Sequence, residues 1–459
     1  MSLALIKKAR LASFYVIFNH FSLQFIKLLS NLILTRLLVP ELFGVMALIF
    51  TMVMALHMVS DLGVRQAVVR SKHAENERFL KVAWTIKLLH SFSIGIVIIL
   101  LGCFLSMTQG SLSNSNSALA HPDLPYALIM ISLAQFIAGL NSIRIIDYFR
   151  KLKQKELFII ELTSQIISLA IMIALAYYFR NIYALVFGTV SASFVKFVMS
   201  YAYLQGVKSG FLFDTEYVKE IISFGKWIAV SSVSGFIVNS GDKILLGVWV
   251  SSSLLGFYSI AQILAQFIKR LVQKLMSSIF FPILSDEVRN DRSIKQIEKI
   301  YYSARLKIDI VCCLFVGFIF YSADFIISIL YDERYAEVAG ILKILSFSAV
   351  WVGGQLATQL FLAYGKSKLF SHVVMYQALV FLTITPMAFY LFGFYGVVFS
   401  VAINPIVQYI FTCYYMKKYF FLNVFKELRG LIFIPIGVFL GFISIEIISK
   451  LFLIITGVI

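Results

Sequence analysis

Charged residues are scarce in this 459-residue chain, where Asp, Glu, Lys and Arg together make up 14% of the sequence. Soluble globular domains carry about 25% charged residues, which keep their surfaces in contact with water. Hydrophobic residues account for 60% of the chain, and the mean hydropathy is +0.89. This composition excludes a soluble protein and predicts a polytopic membrane protein.

Several chemical motifs are also missing. The cysteines Cys103, Cys312, Cys313 and Cys413 lie in apolar segments and have neither zinc nor haem spacing. The sequence has no Walker or glycine-rich nucleotide-binding motif, which excludes an ATP-driven pump within this chain. Continuous period-2 alternation is absent, which argues against a transmembrane barrel. We therefore expect no cofactor, no metal site and no enzymatic activity.

Apolar segments long enough for a helix to cross about 30 Å of hydrocarbon recur from end to end. They predict an all-α fold with twelve spans and a thirteenth near the C-terminus. The basic residues before the first span are not followed by a cleavage site, so this helix is expected to be retained. The predicted spans cover approximately residues 13–35, 41–60, 79–106, 124–148, 156–179, 182–204, 220–249, 253–282, 302–322, 336–363, 369–391, 394–416 and 430–449.

Basic residues are distributed unevenly between the predicted loops. The external loops hold Arg36, Arg180 and Arg334, whereas the cytoplasmic segments hold more than half of the 40 basic residues. This asymmetry predicts a multi-pass plasma-membrane protein with a cytoplasmic N-terminus. It also explains the net charge of +17 without a nucleic-acid partner, and it predicts contact with anionic membrane lipids. Four cations near the cytoplasmic ends of spans are expected to snorkel to the headgroups, namely Arg144, Lys226, Arg305 and Lys307.

Two halves of the sequence resemble each other at an offset of 212 residues. LLVPELFG (37–44) aligns with WVSSSLLG (249–256), and IYALVF (182–187) aligns with FYGVVF (394–399). Leu157 and Phe158 match Leu369 and Phe370 at the same offset. Six crossings return a chain to its starting side, so the repeat predicts two six-helix lobes related by a pseudo-two-fold along the membrane normal. The predicted lobes are 1–210 and 211–420, with a C-terminal hydrophobic extension at 421–459, and such repeats are typical of alternating-access transporters.

Two predicted spans carry stripes of polar residues with the same i, i+4, i+7, i+11 spacing, which places each stripe on one helical face. The first stripe consists of His20, Gln24, Lys27 and Asn31. The second consists of Gln262, Gln266, Lys269 and Gln273, flanked by Arg270 and Lys274.

Cations in the middle of a span cost about 2.5–3.5 kcal/mol on insertion scales, so they are not expected to face lipid. A single membrane Gln or Asn more often forms a helix–helix hydrogen bond, and this structural alternative stays open for the amides. We predict that the stripes line a hydrated, electropositive cavity for an anionic substrate. Lysine and arginine suit phosphate groups, while Gln and Asn can bind hydroxyl-rich groups such as sugars.

Three segments of the sequence have the character of family signatures, namely NLILTRLLVPELFGVMAL (31–48), SDLGVRQAVVR (60–70) and SGDKILLGVWVSSSLLGFYSIAQ (240–262). They resemble signature segments of the bacterial polysaccharide transporters, the Wzx-type oligosaccharide flippases of the multidrug/oligosaccharidyl-lipid/polysaccharide (MOP) exporter superfamily. LYDERYAEVAGILKILSF (330–347) and AYGKSK (363–368) are also similar to this family.

The resemblance implies a V-shaped pair of lobes and a cavity lined mainly by spans 1, 2, 7 and 8. It implies a substrate in which an oligosaccharide is carried on undecaprenyl pyrophosphate and is moved from the cytoplasmic to the periplasmic leaflet of the bacterial inner membrane. Glycan polymerase and export machinery are implied partners. The positions that match basic cavity residues of related flippases are Lys27, Lys269, Arg270 and Lys274. This sequence has lysine where arginine is common, and its C-terminal end is short beside fourteen-span members.

Other ionisable residues are candidates for gating or ion coupling, since such groups in spans often serve in proton or ion pathways. Structural pairing is the alternative for Glu161, Asp242 and Asp309, with Lys243 as the partner of Asp242, whereas a helix-end role is the alternative for Asp61 and Arg65. The candidates are Asp61, Arg65, Glu161, Asp242 and Asp309.

Two other functions compete with a flippase. A multidrug or cation antiporter of the same superfamily should carry membrane carboxylates, and the excess of lysines in the stripes argues against it. A polysaccharide polymerase or lipid-linked glycosyltransferase usually has a large external loop or a catalytic acidic pair, whereas the longest external loop here, near 107–123, has only Asp123.

Overall fold

A computed structural model describes residues 3–60, 62–112, 116–290 and 293–455, apart from the side chains of 3–14, 16, 17, 20, 70, 111, 112, 223–231 and 451–455. Every regular element in these ranges is helical, which confirms the predicted all-α class. Within them, eight helices are long and apolar enough to cross a membrane, and a bent helix pair adds a ninth.

The chain divides into two compact units, and the first covers Met1–Gly256. Within it α1 packs on α7, α4 on α5, α5 on α8, and α2 on α9. Its helices are α1 (Leu3–Leu37), α2 (Pro40–Val59), α3 (Val64–Arg70), α4 (Glu77–Leu112), α5 (Leu124–Leu140), α6 (Arg144–Arg150), α7 (Gln154–Phe179), α8 (Tyr183–Ala202) and α9 (Thr215–Trp249).

The second unit covers Phe257–Ile459 and includes all but the first residues of α10. Within it α12 packs along α17 and on α13, while α15 packs on α13 and α14. Its helices are α10 (Ser252–Leu275), α11 (Phe281–Arg289), α12 (Ile294–Leu330), α13 (Val338–Ser346), α14 (Leu356–Ala363), α15 (Ser367–Tyr419), α16 (Val424–Leu428) and α17 (Phe433–Ile455). The lobe boundaries that the repeat suggests, near residues 210 and 420, remain predictions.

Each predicted span coincides with one helix or with consecutive helices. The fourth span is α5 followed by α6, with a bend of 61° between them. Trp84 Nε1 and Lys87 Nζ donate hydrogen bonds to the carbonyl of Asn141 at this bend, at 3.2 and 2.8 Å. The eleventh and twelfth spans are the two arms of α15, which meet at Gly393, where φ is +60°. Glycine adopts this positive φ without steric cost, which allows the chain to reverse its direction between the two spans.

The two aligned segments of the repeat contact each other reciprocally within the first unit. A Cβ on Gly44 would lie 1.9 Å from the carbonyl oxygen of Ser252, and a Cβ on Gly256 would lie 2.1 Å from that of Pro40. Ser253 Oγ also donates a hydrogen bond to Glu41 Oε1 at 2.6 Å. The hydrogen-bonded residues are 212 positions apart, and the two glycines share this offset. The repeat-equivalent starts of α2 and α10 therefore pack backbone to backbone.

A buried ion cluster attaches the C-terminal segment to α12 in the second unit. Arg305 is 2% exposed, and it lies 2.7 Å from Asp309 and 2.9 Å from Glu427, which precedes α17. Tyr301 and Tyr409 donate hydrogen bonds to the two oxygens of the Glu427 carboxylate, at 3.2 and 3.4 Å. The expectation that Arg305 snorkels to the headgroups is wrong, because its guanidinium is buried and pairs with Asp309 and Glu427.

We expect Gly44→Ala to lower the stability of the protein by about 1–3 kcal/mol, because the new methyl group would overlap a backbone carbonyl that cannot rotate away. Thermal unfolding of the purified protein in detergent measures this change. Gly340→Ala is the matched control, since a methyl group added to Gly340 in α13 would have no neighbouring atom within 4 Å. Equal unfolding temperatures for the two variants would contradict the close approach.

We expect Arg305→Ala to destabilise the second unit by about 3–5 kcal/mol, because it leaves two buried carboxylates without their cation. Glu427→Gln should cost less, since the Arg305–Asp309 pair remains and the amide oxygen can still accept a hydrogen bond from one of the two tyrosines. The same unfolding assay compares both with Arg289→Ala, which removes an exposed arginine. If Arg305→Ala unfolds at the same temperature as Arg289→Ala, the cluster does not stabilise the fold.

Candidate substrate-binding site

The first polar stripe lies on α1, an uninterrupted helix of the first unit. Gln24 is half-buried, Lys27 is exposed and Asn31 is 7% exposed. Lys27 lies between the two amides along the helix yet is more exposed than either, so the stripe is not uniformly packed against neighbouring helices. The side chain of His20 lies outside the described residues.

The second polar stripe lies on α10, and its residues form hydrogen bonds with different kinds of partner. Gln262 is 4% exposed, and its amide nitrogen donates to the hydroxyl of Tyr258 at 3.2 Å. Arg270 donates from Nε and Nη2 to Gln266 Oε1, at 3.2 and 2.7 Å. Gln262 is thus part of the local packing, whereas Gln266 orients the guanidinium of Arg270.

Gln273 begins a chain of amides that joins three helical segments of the second unit. Its Nε2 donates to Gln355 Oε1 at 2.8 Å, and Gln355 Nε2 donates to Gln408 Oε1 at 3.0 Å. Each amide in such a chain fixes the orientation of the next, which makes Gln273 a helix-packing residue. The structural alternative that the sequence left open thus accounts for the observed bonds of Gln262 and Gln273.

The cations of α10 have no acidic residue on their own helix. Lys269, Arg270 and Lys274 are all half-buried, and neither α1 nor α10 contains Asp or Glu. Among the described residues, Arg270 makes no ion pair with a carboxylate, and its partner Gln266 is neutral. The positive charge of Arg270 is therefore oriented but not neutralised. Such a group can bind an anion without first breaking a salt bridge.

Three of the gating or coupling candidates lie in the first unit with defined surroundings. Glu161 on α7 accepts a hydrogen bond from Asn19 at 2.7 Å, and it lies 3.5 Å from Lys196 on α8. The guanidinium of exposed Arg65 lies 4.9 Å from the centre of the Phe149 ring. Asp242 is 4% exposed on α9.

Of the other two candidates, one is described by the structure and one is not. Asp309 belongs to the buried cluster with Arg305, whereas Asp61 lies outside the described residues. The roles of all five candidates in gating or coupling stay predictions.

Three further cations were expected to snorkel to the headgroups. Arg144 instead donates to the backbone carbonyls of Tyr201, Leu204 and Val207, so it holds a turn of the first unit. Lys307 is exposed, and the side chain of Lys226 is not described.

A histidine pair in the first unit is a polar site that the sequence analysis missed. His57 Nε2 lies 2.8 Å from Gln135 Oε1, and His90 Nε2 lies 3.0 Å from Ser60 Oγ. The centres of the two imidazole rings are 6.4 Å apart. Both histidines interrupt apolar helices, and this was the sequence signal that could have identified them.

Comparisons with known proteins agree with this fold. The family model described as "Polysaccharide biosynthesis protein" matches residues 33–340, more than half of the chain. No curated protein sequence matches this chain. The structure is similar to an inward-facing multidrug resistance MATE family transporter of the MOP superfamily, with a TM-score of 0.62 and 16% identity over 90% of this chain and 95% of that one.

A second solved structure, the lipid II flippase MurJ in an inward closed conformation, is similar with a TM-score of 0.65. The identity is 14%, and the match covers 96% of this chain and 98% of that one. Identities this low establish a shared fold only, but both matches extend over nearly the whole chain. This polytopic membrane protein therefore has the MOP transporter fold and belongs to the polysaccharide biosynthesis protein family.

Proposed function

We propose that this protein is a flippase for an oligosaccharide carried on undecaprenyl pyrophosphate. It moves this substrate from the cytoplasmic to the periplasmic leaflet of the bacterial inner membrane by alternating access, with its N-terminus in the cytoplasm. Membership of the polysaccharide biosynthesis protein family supports a glycan substrate. A glycan polymerase and export machinery are the proposed partners in the cell.

The observation that carries this proposal is the oriented, uncompensated charge of Arg270 on α10. Two N–H groups of Arg270 point to Gln266, and the guanidinium still has donors for an anion. Lys269 and Lys274 flank it on the same acid-free helix. Pyrophosphate carries charged oxygens for which lysine and arginine are the common protein partners.

The glutamines of the two stripes fall into two groups, and this supports a site that binds sugar hydroxyls as well as phosphate. Gln262 and Gln273 are bonded within the second unit, while Gln24 and Gln266 are half-buried and lie one helical turn from a cation. A neutral amide beside a cation can donate to a sugar hydroxyl while the cation binds phosphate. We therefore assign Gln266, which contacts Arg270, to the sugar nearest the pyrophosphate. Gln24 stays a predicted substrate-binding residue of the first unit.

The alternative function is a multidrug or cation antiporter, which the similarity to a MATE transporter suggests. Such a protein needs a carboxylate that can attract a cation. Glu161 is the half-exposed candidate in the first unit, but Lys196 and Asn19 already bind its two oxygens. The positive charge on α10 would also repel a cationic drug. Both observations favour the flippase.

We expect Lys269→Gln/Arg270→Gln to slow flipping more than tenfold, because each lost charged hydrogen bond to phosphate contributes about 1.5–3 kcal/mol. The measurement is the transfer of a fluorescent undecaprenyl-pyrophosphate oligosaccharide across the membrane of reconstituted proteoliposomes. Lys155→Gln/Lys219→Gln is the matched control, since it removes the same charge from exposed positions of the first unit.

A normal flipping rate in a well-folded Lys269→Gln/Arg270→Gln variant would disprove the assignment of these residues. The same proteoliposomes can be loaded with a lipophilic cation and given a pH gradient. Faster cation efflux after neutralising Lys269 and Arg270, with no flipping by the wild type, would favour the antiporter.

A further inference from the structure

A basic pocket lies in the second unit, where the charged beginning of α12 faces α16 and the turn after it. Its volume is about 640 Å³. It belongs neither to the stripe on α10 nor to the buried cluster, although Glu427 of that cluster lies between two of the lining residues in sequence. The lining residues are Lys295, Glu298, Lys299, Tyr302, Ser303, Leu306, Lys307, Lys426 and Arg429.

The α12 wall of this pocket presents a row of cations. Lys295, Lys299 and Lys307 follow one another at intervals of four or eight residues, so they share one helical face, and all three are exposed. At 1.5 Å per residue, the row extends about 18 Å along the helix. This is longer than a single phosphate group.

The opposite wall is fixed in place by its own contacts. Lys426 Nζ lies 2.9 Å from Glu298, the acidic residue of the lining, and 4.9 Å from the centre of the Tyr302 ring. Arg429 donates to the carbonyl of Tyr302 at 2.6 Å. Glu298 is therefore neutralised by Lys426. The positive charge of the α12 row and of Arg429 stays available to a ligand in the pocket.

The surface beside the pocket is apolar. Phe425 is 90% exposed and Ile432 is 69% exposed, on either side of Lys426 and Arg429 in sequence. Large apolar side chains interleaved with cations are typical of elements that lie in the membrane interface. The two helices that leave this region, α12 after Lys307 and α17 from Phe433, are both apolar. The pocket thus lies where these helices enter the hydrocarbon.

We propose that this pocket binds the headgroup of an anionic phospholipid that carries two phosphodiester groups. The row of lysines spans enough length for two phosphates, and basic pockets between helices at the membrane surface suit such headgroups. The acyl chains lie against the apolar surface that includes Phe425 and Ile432. This lipid is a structural ligand of the second unit, and the site is separate from the proposed transport site on α10.

Native mass spectrometry of the full-length, delipidated protein in detergent tests this proposal. The probes are cardiolipin, which has two phosphodiester groups, and phosphatidylcholine, whose headgroup has no net charge. The test variant is Lys299→Gln/Lys307→Gln, and Lys155→Gln/Lys219→Gln again removes the same charge from exposed positions elsewhere. Each lysine near a membrane surface strengthens binding of an anionic lipid about fivefold, so the test variant should bind cardiolipin about 25-fold more weakly.

Inorganic pyrophosphate separates a lipid headgroup from a free phosphate as the ligand. For a lipid, Phe425→Ser should reduce the retention of cardiolipin without changing the weak binding of pyrophosphate. Pyrophosphate binding as tight as that of cardiolipin would assign the pocket to a free anion and overturn the lipid proposal.

Equal cardiolipin retention by the test variant and the control would overturn the site itself. All four substituted lysines are exposed, so we expect the two double variants to unfold at the same temperature. Weaker cardiolipin binding by the test variant would then reflect a lost binding site and not a loss of folded protein.

Discussion

The high free-energy cost of placing a charge in hydrocarbon is the constraint on which the arrangement of this protein depends. Three charged groups in the apolar helices lower this cost through fixed partners. Arg305 is buried with two carboxylates, Glu161 is bonded to Lys196 and Asn19, and Lys87 binds a carbonyl left open at a helix bend. Among the described residues, Arg270 differs from these groups, since it is half-buried on an acid-free helix with a neutral partner.

This contrast is the basis for proposing a structural role for the paired charges and a substrate-binding role for Arg270. A buried ion pair has already given up its hydration for a fixed partner, so it gains little from a ligand. The guanidinium of Arg270 is oriented by a neutral amide, which keeps the geometry for binding without cancelling the charge. In the proposed function, the anionic substrate supplies the counter-charge that the described neighbours of Arg270 do not provide.

The sequence predicted the helices well because hydropathy depends on local composition. Each predicted span coincides with helical structure, and the repeat offset of 212 reappears in the hydrogen bond between Glu41 and Ser253. It failed for Arg305, since Glu427 is far away in sequence and lies outside the spans predicted from hydropathy. Local patterns also could not distinguish Gln273, which joins a chain of amides, from Gln266, which holds a cation. These distinctions depend on tertiary neighbours that no helical projection contains.

The reciprocal contact between Gly44 and Gly256 has the form of an interface between two identical subunits. In an isologous dimer interface, residue i of one copy touches residue j of the other, and j touches i. Here the carbonyl of Pro40 faces Gly256, and that of Ser252 faces Gly44. Fusion of the two subunits of a symmetric dimer would produce such a chain, in which the two copies of a segment contact each other. A side chain on either glycine would enter the same contact, because a Cβ on Gly44 would lie 2.9 Å from the nitrogen of Gly256 and a Cβ on Gly256 would lie 3.3 Å from that of Gly44.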